Sequence, residues 1–249
     1  WETALRDHAR KILVIDDLAN RRHSCNLVLD QNLGRKLNDY DGLLDVGTEI
    51  LLGPHYALLR PEFAQNRDRS LARRGTNRMF DFLVCMGGVD QENITGRILK
   101  TLDNIVMPAE TRIRVVLGAS SPWINEVTKQ AKAIRHKTIV YTNVSNMAEF
   151  LATSDVAIGA AGSSSWERCA MGLPSILFEL ADNQKEVIKA LEIVGAAKTA
   201  SLEDLETHGI FADLLTEMGR SLKSISKNAA NICDGAGCSR TIQKLLRVQ

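Results

Sequence analysis

The chain has 249 residues, 45% of them hydrophobic, a length that allows one large core or one full domain with part of another. Its 31 Lys and Arg residues nearly balance its 30 Asp and Glu residues, which excludes a strongly charged nucleic-acid or membrane-surface protein and favours a small ligand. No apolar run approaches the roughly 20 residues of a membrane-spanning helix, and the first residues carry no signal-peptide pattern. We therefore expect a cytoplasmic monomer that binds neither nucleic acid nor membrane.

The cysteines and histidines give no sign of a metal centre. The five cysteines are scattered through apolar segments, which favours reduced thiols. Cys233 and Cys238 are close in sequence, but no second pair or nearby histidine completes a zinc site. The five histidines are isolated, and their spacing suggests no Ser/His/Asp or Cys/His arrangement. We expect no metal, no cofactor and no identifiable catalytic residue in this chain.

The N-terminal part of the sequence predicts a helix followed by buried strands. Residues 1–10 have the pattern of a helix end, and the apolar runs 12–15 and 27–30 predict strands. Asp16-Asp17 follows the first strand and is a candidate for binding substrate or metal, but a strand-end turn explains it equally well and no partner acid is apparent. The polar, turn-rich segment 31–45 predicts a domain edge.

The rest of the sequence predicts a parallel sheet. Residues 67–78 carry five arginines without aromatic neighbours, which predicts a solvated connection between domains. Beyond it, helical patterns alternate with the apolar runs 82–86, 113–117, 138–141, 156–158, 175–178 and 196–200. An apolar stripe predicts a long helix over about 210–231, and Ser239 is expected to cap a last helix. This alternation predicts a doubly wound α/β fold.

A glycine pair follows the first strand of that sheet. Ligands of open α/β sheets bind outside the carboxyl ends of the strands, so residues just after each apolar run are informative. Gly87 and Gly88 let backbone amides approach a phosphate at the start of the next helix. An ordinary strand-to-helix turn is the alternative, and by itself the pair is a weak signal.

A second turn, Gly159-Ala-Ala-Gly162, ends another predicted strand and precedes Ser163, Ser164 and Ser165 at a helix start. Amide donors and hydroxyls at a helix N-terminus suit a diphosphate, although a serine that merely caps the helix is common. Glu167 lies one turn after Ser163, where its carboxylate can face the same pocket and accept hydrogen bonds from ribose hydroxyls. A surface glutamate favoured by the helix dipole is an equal alternative.

Two further loops follow strands at the same expected edge. Segment 179–184 brings Asn183 and Gln184 there, where their amides suit sugar hydroxyls, although a helix cap by Asp182 or Asn183 explains them as well. Segment 142–146 offers backbone groups to a base, with Ser145 as a plain helix cap being the alternative.

Read together, these segments resemble the UDP-2,4-diacetamido-2,4,6-trideoxy-β-L-altropyranose hydrolases of pseudaminic acid biosynthesis over nearly the whole chain. The segments that carry the resemblance occur in order and are Ile15-Asp-Asp-Leu-Ala19, His23-Ser-Cys25, Asp30-Gln-Asn32, Gly53 to Phe63, Cys85-Met-Gly-Gly88, Gly159 to Glu167, and Asp234-Gly-Ala-Gly237 with Arg240. The resemblance implies the glycosyltransferase-B fold, with two Rossmann-like domains.

The resemblance also implies a site and a reaction. It implies that UDP is bound by Gly87, Gly88, Gly162, Ser163, Ser164 and Glu167, with the Val144 backbone near uracil. Asn183 and Gln184 would approach the sugar. In that family, water attacks the anomeric carbon of a UDP-sugar substrate and displaces UDP as product with inversion and without a metal. The family's catalytic histidine lies in an N-terminal Gly-x-Gly-His-type loop, and this sequence contains no such loop.

The resemblance further implies that this sequence lacks an N-terminal segment of about half a domain. We expect residues 1–66 to be the remainder of the N-terminal Rossmann-like domain and 67–80 a linker. Residues 81–235 should form the UDP-binding C-terminal domain, and 236–249 a C-terminal helix. Hydrolysis of a UDP-sugar is the expected activity of the full-length protein. A glycosyltransferase of the same fold and a non-catalytic nucleotide-sugar-binding module are the alternatives.

Overall fold

A computed structural model describes residues 1–76, 78–181 and 184–248 of the chain. These residues form two parallel β-sheets, one of three strands and one of six. The strands are β1 (Leu13–Ile15), β2 (Leu27–Asp30), β3 (Glu49–Leu52), β4 (Asp81–Cys85), β5 (Arg112–Leu117), β6 (Lys137–Thr142), β7 (Val156–Ala160), β8 (Ser175–Phe178) and β9 (Lys198–Ala200). Their order is β1-β2-β3 in the first sheet and β6-β5-β4-β7-β8-β9 in the second.

Helices supply most of the crossovers that parallel strands require. They are α1 (Glu2–Leu5), α2 (Pro61–Arg73), α3 (Ile94–Asp103), α4 (Ile124–Ala133), α5 (Met147–Thr153), α6 (Ser164–Ala170), α7 (Lys185–Ile193), α8 (Ile210–Ile232) and α9 (Gly237–Arg247). None of the described helices combines the length and apolar composition that crossing a bilayer requires.

The predicted apolar runs all coincide with strands, but the sequence missed β3. This strand pairs with β2 from Leu27 opposite Glu49 to Asp30 opposite Leu52. The interpretation of residues 31–45 as a domain edge is therefore wrong, because the segment connects two neighbouring strands of one sheet. β3 escaped detection because only one of its four residues is buried, so its apolar pattern is short.

The six-stranded sheet is covered on both faces, which explains why its strands read as continuous apolar runs. Alternate residues of each strand point to opposite faces. One face packs against α2, α5, α6 and α7, and its buried residues include Leu83, Val116, Ala157, Leu177, Phe63, Leu151, Trp166 and Leu191. The other packs against α3, α4 and α8, and its buried residues include Phe82, Val84, Ile113, Ile158, Phe178, Leu99, Val127 and Phe211.

Helix α2 joins the two sheets. Arg69 and Arg78 are exposed, but Arg67 and Arg74 are not part of the solvated connection that the sequence predicted. Arg67 donates to the carbonyl oxygens of Ala230 at 2.7 Å and Cys233 at 2.9 Å, and also to that of Ala170. Arg74, just after the helix, is buried and donates to the carbonyls of Leu151 and Ser154. The prediction failed because these acceptors come from distant parts of the chain. The limits of the two domains stay predictions.

We expect Arg74→Ala to lower the free energy of unfolding by about 3 kcal/mol, because it leaves buried carbonyl oxygens unpaired. The matched control is Arg69→Ala in the preceding helix α2, which removes an exposed ion pair to Glu149 with an N–O distance of 2.8 Å. Exposed pairs contribute about 0–1 kcal/mol. Urea denaturation of the two variants measures the difference, and equal losses would show that Arg74 is not an anchor.

Helix α9 returns to the N-terminal sheet. Leu245 and Val248 pack against the cluster of Leu27, Leu29 and Leu51. Its start is fixed by Asp234, whose carboxylate accepts from the Ala236 amide at 2.9 Å and from Arg240. The helix begins at Gly237, so the prediction that Ser239 caps it is wrong. Asp234, five residues before Ser239, stabilises the start of the helix instead.

The pair of Asp234 and Arg240 predicts a pH dependence of stability. The Arg240 guanidinium lowers the pKa of Asp234 from 3.8 to about 2. Since the folded-state pKa is depressed, the stabilisation is present above about pH 4 and is lost as the pH falls towards 2. The difference in unfolding free energy between the wild type and Asp234→Asn should shrink between about pH 7 and about pH 3.

Urea denaturation across this pH range tests the expectation, with Asp68→Asn on the exposed side of α2 as the control. A difference between wild type and Asp234→Asn that does not change with pH would contradict it.

Candidate functional site

The order of the six-stranded sheet places a crevice between β4 and β7. From β4 the chain proceeds outwards through β5 to β6, and from β7 it proceeds through β8 to β9 on the other side. The connecting helices therefore diverge at this point, and a crevice opens beyond the carboxyl ends of the two strands. The sequence-predicted residues Gly87, Gly88, Gly162, Ser163 and Ser164 all follow β4 or β7.

The glycine turn after β4 is exposed and is shaped by a close backbone contact. Gly87 has a φ of +99°, which glycine adopts without strain. A side chain at Gly118, just after β5, would place its Cβ 1.9 Å from the Gly88 carbonyl oxygen. The start of α3 is not open to a phosphate, because the Asp90 carboxylate accepts from the amides of Ile94 and Thr95 at 2.9 Å each. Only the turn at Gly87 and Gly88 remains available to bind an anion.

The turn after β7 leaves its amides without protein partners. The backbone N–H groups of Gly162 and Ser163 donate to no acceptor within the described residues, and both residues are exposed. Ser163 makes no capping hydrogen bond to α6, so the alternative of a plain serine cap is not what the structure shows. Ser164 is half-buried, and the buried Ser165 hydroxyl accepts from Arg168 at 3.1 Å.

Glu167 is half-buried and lines a small cavity with Cys85, Met147 and Ser164. Within the part of the chain that the structure describes, its carboxylate has no hydrogen bond and no ion pair within 4 Å. Burial raises its pKa, and the positive charges of Arg168 and Arg60 oppose that rise. The alternative of a solvated surface glutamate is therefore wrong. A carboxylate in this position is ready to accept hydrogen bonds from a ligand.

The loop after β6 lies at the same edge of the sheet. Val144 is half-buried and packs against the apolar cluster under α5. The next carbonyl, that of Ser145, accepts from Arg60 at 2.8 Å, which ties this loop to the segment before α2. Ser145 does not cap α5, since Asn146 occupies the N-cap position. Met147, at the start of α5, lines the small cavity with Glu167. The role of the Val144 backbone stays a prediction.

The loop after β8 is only partly described. Asn183, predicted to contact sugar, lies outside the described residues together with Asp182. Gln184 occupies the N-cap position of α7, and its side-chain oxygen accepts from the Leu180 amide at 2.9 Å. This bond links the Gln184 side chain to Leu180 and leaves its amide nitrogen and one acceptor site on its oxygen for other partners. The predicted sugar contacts of both residues stay predictions.

A second cluster of polar residues lies at the carboxyl ends of β1 and β2. The buried His23 contacts Glu2, with Nδ1 at 3.0 Å from Oε1, and its Nε2 lies 3.5 Å from Asp16. The Tyr40 hydroxyl lies 3.0 Å from both Asp16 and Asp30. The fold thus brings Asp30 to the other side of the Tyr40 hydroxyl from Asp16. Among the described residues, however, no group of three or more His, Cys, Asp and Glu side chains could hold a metal ion.

Burial acts to raise the pKa of Asp16, but hydrogen bonds from the Leu18 and Ala19 amides and from Tyr40 lower it overall. Arg35 neutralises Asp30 through a contact of 2.5 Å. The side chains of Asp16 and Asp30 are thus engaged with the protein itself. Asp17 is exposed beside them, and its carbonyl holds Asn32 and Arg35.

The two sheets meet where the loop after β2 reaches the second unit. Leu33 packs against the cluster that contains Leu191 of α7. A Cβ on Gly34 would lie 4.0 Å from Ala190 in the same helix. The carboxyl edge of the first sheet therefore borders the helix that follows β8, one of the strands whose loops form the candidate site.

Two parallel sheets and a last helix that returns to the first define a glycosyltransferase-B-like protein, which confirms the expected fold. The crystal structure of Acinetobacter baumannii MurG has this arrangement, with a TM-score of 0.67 at 14% identity over 99% of this chain and 69% of that chain. Residues 82–243 match the family described as the glycosyltransferase family 28 C-terminal domain. The chain belongs to this family.

Two curated relatives are similar in sequence. The UDP-2,4-diacetamido-2,4,6-trideoxy-β-L-altropyranose hydrolase of Campylobacter jejuni is 31% identical over 153 residues, which are 61% of this chain and 52% of that protein. The spore coat polysaccharide biosynthesis protein SpsG of Bacillus subtilis is 26% identical over 200 residues, which are 78% of this chain and 57% of that protein. The chain thus spans about half the length of these relatives.

Gly118 and Arg168 adjoin the candidate site but were not predicted from the sequence. The sequence pattern could have predicted Gly118, because this glycine follows the apolar run of a strand, as Gly87 does. Arg168 directly follows Glu167, yet it is buried, and its charge precedes a run of small and apolar residues. A charged residue beside such a run is either buried or on the exposed side of a helix. The positions of residues in the sequence do not distinguish these two cases.

We expect Gly118→Ala to lower the free energy of unfolding by about 1–3 kcal/mol, because its Cβ displaces the turn at Gly88. The matched control is Gly162→Ala, where a Cβ would have no neighbour within 4 Å. That control should stay within about 0.5 kcal/mol of the wild type. Chemical denaturation of both variants provides the measurement, and a neutral Gly118→Ala would contradict the close contact.

Proposed function

We propose that the chain binds the UDP part of a UDP-sugar in the crevice beyond β4 and β7, and that it belongs to an enzyme that hydrolyses this substrate. The observation that carries the proposal is the half-buried Glu167 carboxylate without a protein partner, one helical turn after the free amides of Gly162 and Ser163. A nucleoside diphosphate offers the complementary groups, since its phosphates accept hydrogen bonds and its ribose hydroxyls donate them.

Each part of the ligand has an assigned place in this proposal. The diphosphate lies against the turns at Gly87-Gly88 and Gly162-Ser163, with the Ser164 hydroxyl as a further donor. Glu167 accepts from the ribose hydroxyls, and the backbone at Val144 faces uracil. Asn183 and Gln184 approach the sugar.

Hydrolysis is supported by similarity to the Campylobacter jejuni hydrolase. The reaction would be attack of water at the anomeric carbon, which releases UDP and the free sugar with inversion, and the proposed sugar is 2,4-diacetamido-2,4,6-trideoxy-β-L-altropyranose. Transfer to an acceptor hydroxyl is the second candidate, which the description of the matching family favours. The same UDP site serves both reactions.

We expect Glu167→Ala to weaken UDP binding by about 1–3 kcal/mol, or about 5- to 150-fold, because a charged acceptor for the ribose is lost. Titration calorimetry of this chain with UDP measures the effect. Glu186→Ala is the matched control, since Glu186 lies in the first turn of α7 at the same sheet edge and is exposed. Unchanged affinity of Glu167→Ala would refute its ribose role.

A ligand without the 2′ and 3′ hydroxyls sharpens this test. The dideoxy analogue of UDP should bind the wild type more weakly than UDP does, and Glu167→Ala should bind both ligands with equal affinity. A loss for the analogue that persists in Glu167→Ala would assign the ribose contact to another residue.

Product analysis separates the reactions. The longest reading frame that contains this chain is incubated with the UDP-sugar, with and without candidate acceptor sugars. Release of UDP and free sugar without an acceptor is the expected result. UDP release that depends strictly on an acceptor would establish a transferase, and UDP binding without any turnover would establish a binding module.

A further inference from the structure

Arg168 is buried directly behind the crevice between β4 and β7. Its side chain donates to the Ala160 carbonyl at 2.7 Å and to the Ser165 hydroxyl at 3.1 Å, and the residue is 5% exposed. Gly159 pairs with Cys85 across the two strands. A Cβ at Gly159 would lie 2.6 Å from the Cys85 carbonyl oxygen and 2.9 Å from Nη1 of Arg168. Only glycine at this position leaves room for the guanidinium.

The charge of Arg168 is not balanced by an acid. Within the described part of the chain, no carboxylate lies within 4 Å of its guanidinium, and its buried Nε has no hydrogen-bond partner. Burial lowers its pKa. Removing an ion from water costs several kcal/mol unless other charges or hydrogen bonds compensate.

Arg74 shows what a buried arginine with a structural role looks like in this protein. Each of its guanidinium nitrogens donates to an oxygen, and the acceptors are Met171, Ser154, Leu151 and the Ser70 hydroxyl. Arg168 has two acceptors and leaves Nε unused. Its surroundings therefore do not account for its charge, although they fix its position.

We propose that Arg168 is a positioning residue whose buried positive charge attracts the diphosphate of the ligand through the turns after β4 and β7. This inference rests on the proposed UDP site and adds to it the source of its affinity for phosphate. Charges interact over several ångströms in a poorly solvated interior, so the guanidinium need not touch the ligand. Its bonds to Ala160 and Ser165, on either side of Gly162-Ser163, hold the turn in which the free amides lie.

Glu167 does not neutralise the charge of Arg168. The two residues are adjacent in α6, but their charged groups form no ion pair. Burial raises the pKa of Glu167, and the positive charge of Arg168 opposes that rise. The carboxylate thus stays available for ribose while the cation acts on the phosphates.

The test compares UDP with uridine, which lacks the diphosphate. Arg168→Met removes the charge and keeps an apolar side chain, and we expect it to weaken UDP binding about tenfold or more while uridine affinity changes less than about twofold. Magnetic resonance titrations measure both ligands. Arg114→Met is the matched control, because Arg114 is a half-buried arginine of β5 that donates to Thr153 and Ser154.

An equal loss for UDP and uridine in Arg168→Met would overturn the proposal and leave Arg168 a purely structural residue. Circular dichroism checks the fold of each variant. If Arg168→Met does not fold, Arg168→Lys decides: the ratio of UDP to uridine affinity should stay within about threefold of the wild type, because the charge is kept. Loss of that ratio in Arg168→Lys would overturn the role of the charge.

The outcomes also separate this inference from the proposed function. A wild-type chain that does not bind UDP would overturn both. If Glu167→Ala weakens UDP binding but Arg168→Met leaves the ratio of UDP to uridine affinity unchanged, the UDP site stands and only the role of Arg168 fails.

Discussion

The close approach of β4 and β7 at Cys85 and Gly159 is the constraint on which the candidate site depends. The two strands are neighbours in the sheet but belong to oppositely directed halves of it, so their following loops diverge and leave a crevice. Because Gly159 has no side chain, the backbones of the two strands and the buried guanidinium of Arg168 can pack close together. This contact positions the turns after β4 and β7. Those turns in turn position the unpaired amides of Gly162 and Ser163 and the carboxylate of Glu167.

The connection between the two units combines bonds to backbone carbonyls with part-buried ion pairs. Arg67 and Arg74 bind carbonyl oxygens at the ends of α5, α6 and α8, while the exposed pair of Arg69 and Glu149 contributes little. Arg240 adds a similar bond to the His55 carbonyl near α9. Arg73 of α2 also pairs with Asp81 and Asp155 at 2.7 and 2.8 Å, and Lys244 of α9 pairs with Glu49 of β3 at 2.7 Å. Carbonyl bonds and ion pairs therefore both hold the two units together.

The sequence was sufficient to predict the strands of the second sheet and the turns that follow them. Buried parallel strands are continuous apolar runs, and glycines directly after them mark the ligand edge. It was not sufficient for β3, which is half-buried, or for the burial of Arg74 and Arg168. The sequence shows the charge of Arg74, but Arg74 bonds to the carbonyls of Leu151 and Ser154, which only the fold brings near. The partners of Arg168 are close in sequence, but its burial depends on the contact between β4 and β7. For Glu167, the sequence predicted the position one helical turn after Ser163, but it did not predict the burial of the side chain.

The return of α9 to the first sheet gives the chain an order of assembly. The apolar face formed by Leu27, Leu29 and Leu51 is made before the second sheet, but Leu245 and Val248, which pack against it, are made after that sheet. The N-terminal unit therefore cannot complete its core before the whole second sheet has been synthesised, although domains usually fold in the order in which they are made. Until then this face lacks the contacts that Leu245 and Val248 provide.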